Sequence, residues 1–296
     1  MKVMITGANG HLGVRLIEAL ASDSEVVAVV RSERAAAQLT GLPAETKIVS
    51  YADPDGLASA AAGCDVCIHL VGIIKETANN TYLDAHERPC DALADAAARA
   101  GVKHVIALSI VGASHDSDNA CLRSRAAAED CLTAGSVPAS ILRVPMVLGE
   151  NDYASRALIG RARAGVSFSF RASSLEQPIY AGDVIDAVIA LVREENPAGG
   201  VIELGGPESL SRSALTSRAG EVVGNAPRLV SLPLFVGLTL AWLMERVSGN
   251  PPVSCDMLKL LDHDDNVDNS AALSRLGISL TSLDEMLRRV SAPPSS

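Results

Sequence analysis

Apolar and polar positions alternate along the first 145 residues in a regular rhythm of short apolar runs and longer amphipathic stretches. Each run is almost entirely apolar, as expected of a parallel strand that is covered on both faces. The runs predict strands over Lys2–Thr6, Glu25–Val30, Thr46–Ser50, Asp65–Val71, Lys103–Ser109 and Ala139–Val144. The intervening stretches predict helices over His11–Ser22, Glu33–Leu39, Pro54–Ala62, Tyr82–Ala100 and Cys121–Thr133. This alternation predicts an α/β fold, a doubly wound parallel sheet of the Rossmann type.

After Gly149 the pattern becomes mainly helical. Helices are predicted over Tyr153–Arg163, Ala181–Arg193, Ser211–Val223 and Leu232–Val247, with one short strand at Val201–Leu204. We therefore expect a Rossmann domain over residues 1–149 and a smaller, mainly helical C-terminal lobe over 150–296. The lobe is expected to contact a substrate or partner and to be interleaved with the first domain rather than independent of it.

Net charge and the length of apolar runs limit the kinds of partner that the chain can bind. Of the 296 residues, 48% are hydrophobic, which is ample for a large core, and the net charge is −10. Such an acidic chain repels nucleic-acid phosphates, so nucleic acid is excluded as a general partner. No apolar run reaches the roughly 18 residues of a membrane span. The nearest is Leu232–Trp242, which predicts either a buried helix of the lobe or a docking surface for a protein partner or membrane complex.

Six cysteines raise the question of redox or metal chemistry. Cys64 and Cys67 have the spacing of a redox or metal pair, but Cys67 lies within the apolar run Val66–Val71 and no second pair completes a zinc set. We expect buried thiols and no metal site. Without a disulfide framework, the chain is predicted to be cytoplasmic or peripheral to a membrane complex.

A glycine-rich loop follows the first predicted strand. Gly7, Gly10 and Gly13 permit a tight turn, a close approach of phosphate to backbone, and packing of helix on strand. Amides at the helix start then meet a pyrophosphate. The loop predicts a dinucleotide site formed by these glycines with Asn9, His11 and Leu12; the alternative is a turn with a purely structural role.

The end of the second strand distinguishes between nucleotides. NAD-binding proteins usually place Asp or Glu there, on the ribose hydroxyls. Here Arg31 stands at that position, with Arg34 close behind. An arginine can pair with a 2′-phosphate, so NADP(H) is favoured over NAD(H); the alternative is a solvated strand end.

An ordered set of motifs spans nearly the whole chain. It comprises residues 6–13 (TGANGHLG), Asp53, residues 69–72 (HLVG), Ser109, residues 143–145 (RVP), residues 180–184 (YAGDV) and residues 203–207 (ELGGP). With these motifs the chain resembles the extended or atypical branch of the short-chain dehydrogenase/reductase superfamily. The resemblance implies further cofactor-binding residues: Asp53, Leu70, Val71, Gly72, Ser109, Arg125 and Pro145.

Active members of that superfamily carry a Tyr-x-x-x-Lys pair on the helix after the Ser109 position, where lysine lowers the tyrosine pKa for proton transfer. In this chain Cys121 and Arg125 occupy the two positions. Cys121 is shorter than tyrosine, and a nearby cation favours a thiolate, which accepts protons rather than donating them. The catalytic residues are thus unknown, with Cys121, Ser109 and Tyr180 as weak candidates. His11 and His69 are interpreted as packing histidines, with catalysis as the alternative.

Within the superfamily, the chain is most similar to the nucleotide-binding accessory subunit of respiratory complex I and its bacterial relatives. The similarity is carried by residues 70–74 (LVGII), 101–104 (GVKH), 250–252 (NPP), 254–257 (SCDM) and 265–267 (DNV). It implies a tightly held NADPH without turnover, and a protein partner.

Three hypotheses follow. The first is a protein that holds NADP(H) as a structural or sensing cofactor and docks onto a partner. The second is an active NADPH-dependent reductase, or a sugar-nucleotide epimerase or dehydratase, that uses a non-standard proton donor. The third is a scaffold that has lost the nucleotide.

Two further expectations concern acidic residues: Asp183 starts or caps a helix, and Asp262–Asp268 form a solvated turn.

Overall fold

The computed structural model describes residues 1–247, 253–260 and 263–292. The predicted motif at 250–252 and Asp262 lie outside the described residues. The first elements in chain order are β1 (Lys2–Thr6), α1 (His11–Leu20), β2 (Glu25–Val30), α2 (Glu33–Ala37), β3 (Glu45–Ile48), α3 (Pro54–Ala61), β4 (Val66–His69), α4 (Arg88–Ala100), β5 (His104–Ile110), α5 (Ala120–Thr133) and β6 (Ala139–Val144). They are followed by β7 (Val147–Leu148), α6 (Tyr153–Arg163), β8 (Val166–Phe170), β9 (Leu175–Glu176), β10 (Ile179–Tyr180), α7 (Ala181–Val192), β11 (Gly200–Glu203), β12 (Leu210–Ser211), α8 (Arg212–Val222), β13 (Arg228–Leu232), α9 (Leu234–Val247), α10 (Cys255–Leu260), α11 (Ser270–Leu276) and α12 (Leu283–Ser291).

The predicted strands and helices of the first 145 residues are confirmed, with ends within two residues of the prediction. One helix differs in its first turn. The stretch predicted as Tyr82–Ala100 begins with a π-helical turn, Leu83–Glu87, which continues into α4 with Pro89 in the first turn. Pro89 has no amide to donate to a carbonyl of that preceding turn.

A seven-stranded sheet has the order β11-β6-β5-β4-β1-β2-β3. β1 pairs in parallel with both β2 and β4, and the flanking pairs β2–β3 and β4–β5 are also parallel. Val3, Met4 and Ile5 of β1 are fully buried, as their continuous apolar pattern requires. The predicted doubly wound Rossmann-type sheet is therefore confirmed.

The strand order reverses between β1 and β4, which makes this the topological switch point of the sheet. In open α/β sheets, ligands bind in the crevice at the carboxyl ends of the strands that flank such a point. The glycine loop follows β1, and Leu70, Val71 and Gly72 follow β4. Both segments therefore lie at the edge where a ligand is expected.

The chain divides into two compact units, which alternate along the sequence. The first consists of Met1–Arg143 and Ile185–Ile202, and the second of Val144–Val184 and Glu203–Ser296. The second unit is mainly helical, with three two-stranded sheets. One of its apolar clusters joins side chains of α6, α8 and α12, including Leu158, Leu215 and Leu287.

Asp183, which was expected to start or cap a helix, lies in the first turn of α7. Its carboxylate accepts hydrogen bonds from the Thr281 amide at 2.8 Å and from the Thr281 hydroxyl at 2.6 Å. Because Thr281 lies just before α12, Asp183 fixes the start of that helix within the second unit.

The acidic segment after residue 262 is not the solvated turn that the sequence predicted. Asp264 accepts hydrogen bonds from Ser174 Oγ and the Leu175 amide, both at 2.8 Å. The backbone of Val267 exchanges two hydrogen bonds with the Gln177 side chain, at 2.6 and 3.1 Å. Residues 263–269 therefore form a segment that is fastened to β9, and we call it the acidic segment below.

Helix α9 contradicts the expectation of a buried helix. Only Gly237 and Ala241 are buried. Five large apolar side chains are exposed: Phe235, Leu240, Trp242, Leu243 and Val247. Within the described residues, no helix combines the length and apolar character that crossing a bilayer requires.

The cysteines are free thiols. Four of them, Cys64, Cys67, Cys90 and Cys121, are buried, whereas Cys131 and Cys255 are partly exposed. Burial raises the pKa of the Cys64 and Cys67 thiols. Among the described residues, no cluster of His, Cys, Asp and Glu could hold a metal ion.

Candidate functional site

The glycine loop has the geometry of a phosphate cradle. Gly7 has φ = +74°, a conformation that favours glycine, and its carbonyl accepts a 3.0 Å hydrogen bond from the Gly10 amide. Gly10 begins α1. A Cβ at Gly13 would lie 2.4 Å from the Ala8 carbonyl oxygen, so helix and loop could not pack as closely with any other residue. The amides at the start of α1 are therefore positioned to meet an anionic group.

A cavity of about 430 Å³ opens beside this loop. Its volume lies within the usual range for small-molecule sites. It is bordered by the glycine loop, by residues that follow β2, β3 and β4, and by α2. The lining residues are Gly7, Asn9, Gly10, Arg31, Ser32, Arg34, Ala35, Gln38, Tyr51, Leu70, Val71 and Gly72.

The charged lining residues are both cationic. Arg31 and Arg34 are exposed, and within the part of the chain that the structure describes, neither pairs with a carboxylate. The described lining residues also include no Asp or Glu. An acidic residue would hold the ribose hydroxyls of NAD, whereas unpaired guanidinium groups suit a 2′-phosphate. The residues present therefore fit a phosphorylated adenosine.

Tyr51 connects Arg31 to the glycine loop. Its hydroxyl accepts a 3.0 Å hydrogen bond from the Gly7 amide and donates a 3.3 Å hydrogen bond to the Val29 carbonyl. The Arg31 guanidinium carbon lies 5.5 Å from the centre of the Tyr51 ring, within cation–π range. Burial raises the pKa of the Tyr51 phenol, which therefore stays protonated.

Sequence reasoning missed Tyr51, and also Ser32, Ala35 and Gln38. Gln38 Oε1 accepts a 3.0 Å hydrogen bond from Asn9 Nδ2, which ties α2 to the glycine loop. The one sequence signal for Tyr51 was its place in the chain: it follows the third predicted strand and precedes the predicted site residue Asp53.

Several predicted cofactor residues have other contacts. Asp53 caps α3, where its carboxylate accepts hydrogen bonds from the Asp55 and Gly56 amides, both at 3.1 Å. His11, Leu12 and Gly13 lie in the first turn of α1 and do not line the cavity. Pro145 follows β6, in the second compact unit.

Ser109 belongs to a buried polar network. Its hydroxyl donates a 2.5 Å hydrogen bond to Glu129 Oε1. The same carboxylate receives the Arg143 guanidinium, with Nη2 2.6 Å from Oε2 and Nε 3.0 Å from Oε1. Such a bidentate, charge-assisted pair is strong. The Ser109 hydroxyl is therefore occupied by a carboxylate.

Cys121 and Arg125 lie one turn apart on α5. Cys121 is fully buried, and its thiol donates to the Ile73 carbonyl at 3.5 Å. Arg125 Nη1 lies 3.3 Å from both the Val71 and the Leu108 carbonyl oxygens. Both side chains therefore contact backbone at the carboxyl ends of β4 and β5.

Two buried histidines lie near Arg125. His69 Nδ1 is 2.8 Å from the Thr6 hydroxyl, and His86 Nε2 is about 3 Å from both polar backbone atoms of Ile73. Burial, with Arg125 adding to the effect, lowers the pKa of each imidazole to about 3. Both rings are therefore neutral near pH 7.

Tyr180, the remaining candidate proton donor, lies in the second unit. It is buried, and its hydroxyl donates to the Glu150 carboxylate. The Arg289 guanidinium carbon is 5.1 Å from its ring centre. The phenol is thus already paired with an acceptor.

A family model described as NAD(P)H-binding matches residues 7–167, more than half of the chain, so the chain belongs to this NAD(P)H-binding family. It is 29% identical to mitochondrial NADH dehydrogenase (ubiquinone) 1 alpha subcomplex subunit 9 of Arabidopsis thaliana, over 80% of this chain and 61% of the relative's length. It is 28% identical to a ceramide reductase of Caulobacter vibrioides, over 78% of this chain and 73% of that protein.

Among solved structures, the fold resembles UDP-glucuronic acid 4-epimerase of Bacillus cereus in complex with UDP-glucuronic acid and NAD. The TM-score is 0.75 with 18% identity, and 98% of each chain is covered. At that identity the likeness concerns the fold alone. The predicted resemblance to atypical short-chain dehydrogenases/reductases, and to the complex I accessory subunit among them, is confirmed by these relatives.

Proposed function

We propose that this protein binds NADP(H) in preference to NAD(H) and holds it as a structural or sensing cofactor, with a docking or assembly role. The observation that carries the proposal is a phosphate cradle beside two unpaired arginines, together with the replacement of the catalytic pair by Cys121 and Arg125. The protein would act in the cytoplasm or at the periphery of a membrane complex.

The residues at the cavity have distinct roles in this proposal. Gly7, Gly10 and the amides of α1 would receive the pyrophosphate. Arg31 and Arg34 would pair with the 2′-phosphate. The nicotinamide, when bound, supplies hydride transfer.

The environment of Cys121 and Arg125 supports holding rather than turnover. The Cys121 thiol donates to a backbone carbonyl, and Arg125 is hydrogen-bonded to two others. Neither side chain presents the acidic phenol that active members use. The Ser109 hydroxyl donates to Glu129 instead of facing a substrate group.

Two observations support docking. Helix α9 exposes five large apolar side chains, and patches of this kind mark interaction sites. The Arabidopsis relative is named as a subunit of a respiratory complex.

The test is to release and identify any nucleotide that copurifies, to measure the affinities for NADPH and NADH, and then to monitor NADPH oxidation with quinones, aldehydes and enones. We expect NADP(H) to copurify, tighter binding of NADPH, and no turnover. Steady turnover with any member of the panel would contradict a holding role. Equal affinities would contradict the NADP(H) preference.

An active reductase, or a sugar-nucleotide epimerase or dehydratase, is the second candidate. The similarity to the Caulobacter ceramide reductase favours it. It would need a proton donor such as Cys121 or Tyr180. If it is correct, Cys121→Ala or Tyr180→Phe abolishes turnover and leaves NADPH affinity unchanged.

A further inference from the structure

The Arg125 side chain bridges two neighbouring strands of the sheet. Its Nη1 lies 3.3 Å from the carbonyl oxygen of Val71, just after β4, and 3.3 Å from that of Leu108 in β5. A planar guanidinium can donate in two directions at once, which an ammonium on a flexible stem does less precisely. Arg125 therefore fastens the segment that follows β4 to the adjoining strand.

Gly72 provides the space for this contact. A Cβ on Gly72 would lie 1.7 Å from Arg125 Nη2 and 2.5 Å from Cζ. The guanidinium thus lies directly against the Gly72 backbone. The two residues form an interlock, because any larger side chain at position 72 would occupy the volume that the guanidinium fills.

Arg125 has no acidic partner to explain its position. In the described part of the chain, no ion pair joins it to a carboxylate, and its buried Nε has no hydrogen-bond partner. The nearby Glu129 is engaged by Arg143 and Ser109. Burying a cation without a counterion is costly. Two hydrogen bonds to backbone carbonyls do not by themselves account for an arginine at this position.

The segment that Arg125 fastens is a wall of the cavity. Leu70, Val71 and Gly72 all line it, as do Arg31 and Arg34. Gly7 lies close to the same wall, since a Cβ at Gly7 would lie 3.2 Å from the Leu70 carbonyl carbon. Displacement of the wall would therefore disturb the glycine loop.

We infer that Arg125 is a positioning residue: by interlocking with Gly72 and bridging Val71 to Leu108, it sets the wall of the cavity against which the dinucleotide lies. The inference rests on the proposed function for the identity of the ligand. The interlock between Gly72 and Arg125 does not depend on that function. It predicts that residues 72 and 125 are energetically coupled, both in stability and in cofactor binding.

The test is a double-mutant cycle with Arg125→Met, Gly72→Ala and the double variant. Gly72 does not have a positive φ, and the three atoms nearest to a Cβ at this position all belong to the Arg125 guanidinium. Thermal unfolding without ligand and the dissociation constants for NADPH and 2′,5′-ADP are measured for each. Arg123→Met, an exposed arginine on the same helix, is the control.

We expect Gly72→Ala to weaken NADPH binding about tenfold in the native background, as the loss of a charged hydrogen bond would, and less than about twofold in the Arg125→Met background. Binding of 2′,5′-ADP should weaken as well, because the wall lines the same cavity as Arg31 and Arg34. Arg125→Lys keeps the charge but cannot lie flat across Gly72, so it should bind NADPH more weakly than the native protein.

Additive effects at positions 72 and 125, or native affinity in Arg125→Lys, would overturn the inference. If Arg125→Met does not fold, the NADPH affinities and thermal unfolding of Gly72→Ala and Arg125→Lys test the inference instead. A native chain that binds no NADPH contradicts the proposed function instead. In that case the coupling in thermal unfolding still decides whether the interlock exists.

Discussion

Arg31 and Tyr51 act as one unit at the scale of single residues. The Arg31 guanidinium lies over the Tyr51 ring, and the Tyr51 hydroxyl accepts a hydrogen bond from the Gly7 amide. One buried side chain thereby connects Arg31, which we propose selects the nucleotide, with the glycine loop. Substitutions at these two positions should separate specificity from affinity.

Arg31→Glu should reverse the nucleotide preference. A carboxylate at this position repels a 2′-phosphate and can accept hydrogen bonds from ribose hydroxyls. We expect NADPH affinity to fall about ten- to a hundredfold, in line with the loss of a charge-assisted bond, while NADH binding is kept or improved. Titration of both nucleotides measures this, and Arg123→Glu controls for the change in net charge. An unchanged ratio of the two affinities would rule out a role for Arg31 in specificity.

Tyr51→Phe should weaken binding without altering preference. The ring under Arg31 is retained, but the Gly7 amide loses its acceptor, and a hydrogen bond of this kind contributes about 1 kcal/mol. We expect NADPH and NADH to weaken by the same factor, about fivefold. Tyr153→Phe, at an exposed tyrosine, is the matched control. A selective loss of NADPH would show instead that Tyr51 acts only through Arg31.

Gly7, Gly10 and Arg31, which line the cavity, could be predicted from the sequence because backbone requirements and a position at a strand end are local properties. Tyr51 and Gln38 could not be recognised in the same way. Their roles depend on contacts with residues 44 and 29 positions away along the chain. Asp53 illustrates the converse, since its residue type suited a site but its carboxylate caps a helix.

At the scale of elements, prediction succeeded where hydrophobic periodicity was strong and strands were buried on both faces. Helix α12 was missed, although Leu283, Met286, Leu287 and Val290 form a buried stripe at helical spacing. The two-residue strands of the second unit carry too few positions for any period. For α9 the sequence left a buried helix and an exposed docking surface open, because apolar composition alone does not distinguish the two.

The acidic segment should make stability depend on pH through Asp265. Its backbone is held by Leu175 and Ser209. Burial raises the pKa of the Asp265 carboxyl to about 6. The charges of Glu176 and Asp264 also raise this pKa, whereas those of His263 and Arg212 lower it. A folded-state pKa above the unfolded value of 3.8 means that stability is lost as pH rises through that interval.

Asp265→Asn should therefore be more stable than the native protein above pH 6, by on the order of 2 kcal/mol, and similar to it near pH 4. Urea unfolding across this range measures the difference. Asp268→Asn is the control, since Asp268 belongs to the same segment but hydrogen bonds from Ser270 lower its pKa. A constant difference between Asp265→Asn and the native protein across pH would contradict the assignment.

At the scale of the whole molecule, the sheet order follows from the alternation of strands and helices, because right-handed crossovers leave few arrangements open. An interleaved lobe was expected, but the residues over which the chain returns to the first unit, Ile185–Ile202, could not be predicted. The return depends on β11 joining the sheet beside β6. That pairing involves residues about 60 positions apart, and no local pattern encodes it.

Acid stability of the molecule should be governed by His69 and His86. The pKa of each lies at about 3 in the folded chain, against an ordinary value of 6.5, because both rings are buried. The unfolded chain therefore binds more protons between these values, and stability falls as pH drops below 6.5. Each histidine contributes a slope of about 1.4 kcal/mol per pH unit.

Asp265 acts in the opposite direction over part of this range, so the histidine effect is best measured in the Asp265→Asn background. There the free energy of unfolding should decrease steadily from pH 6.5 to pH 4.5. His69→Asn, whose amide can still pair with the Thr6 hydroxyl, should remove about half of the slope. His115→Asn, at an exposed histidine paired with Asp130, should leave the slope of stability against pH unchanged. If both variants leave the slope as it is in that background, the buried imidazoles do not control acid unfolding, and the carboxylates of the buried ion pairs must do so instead.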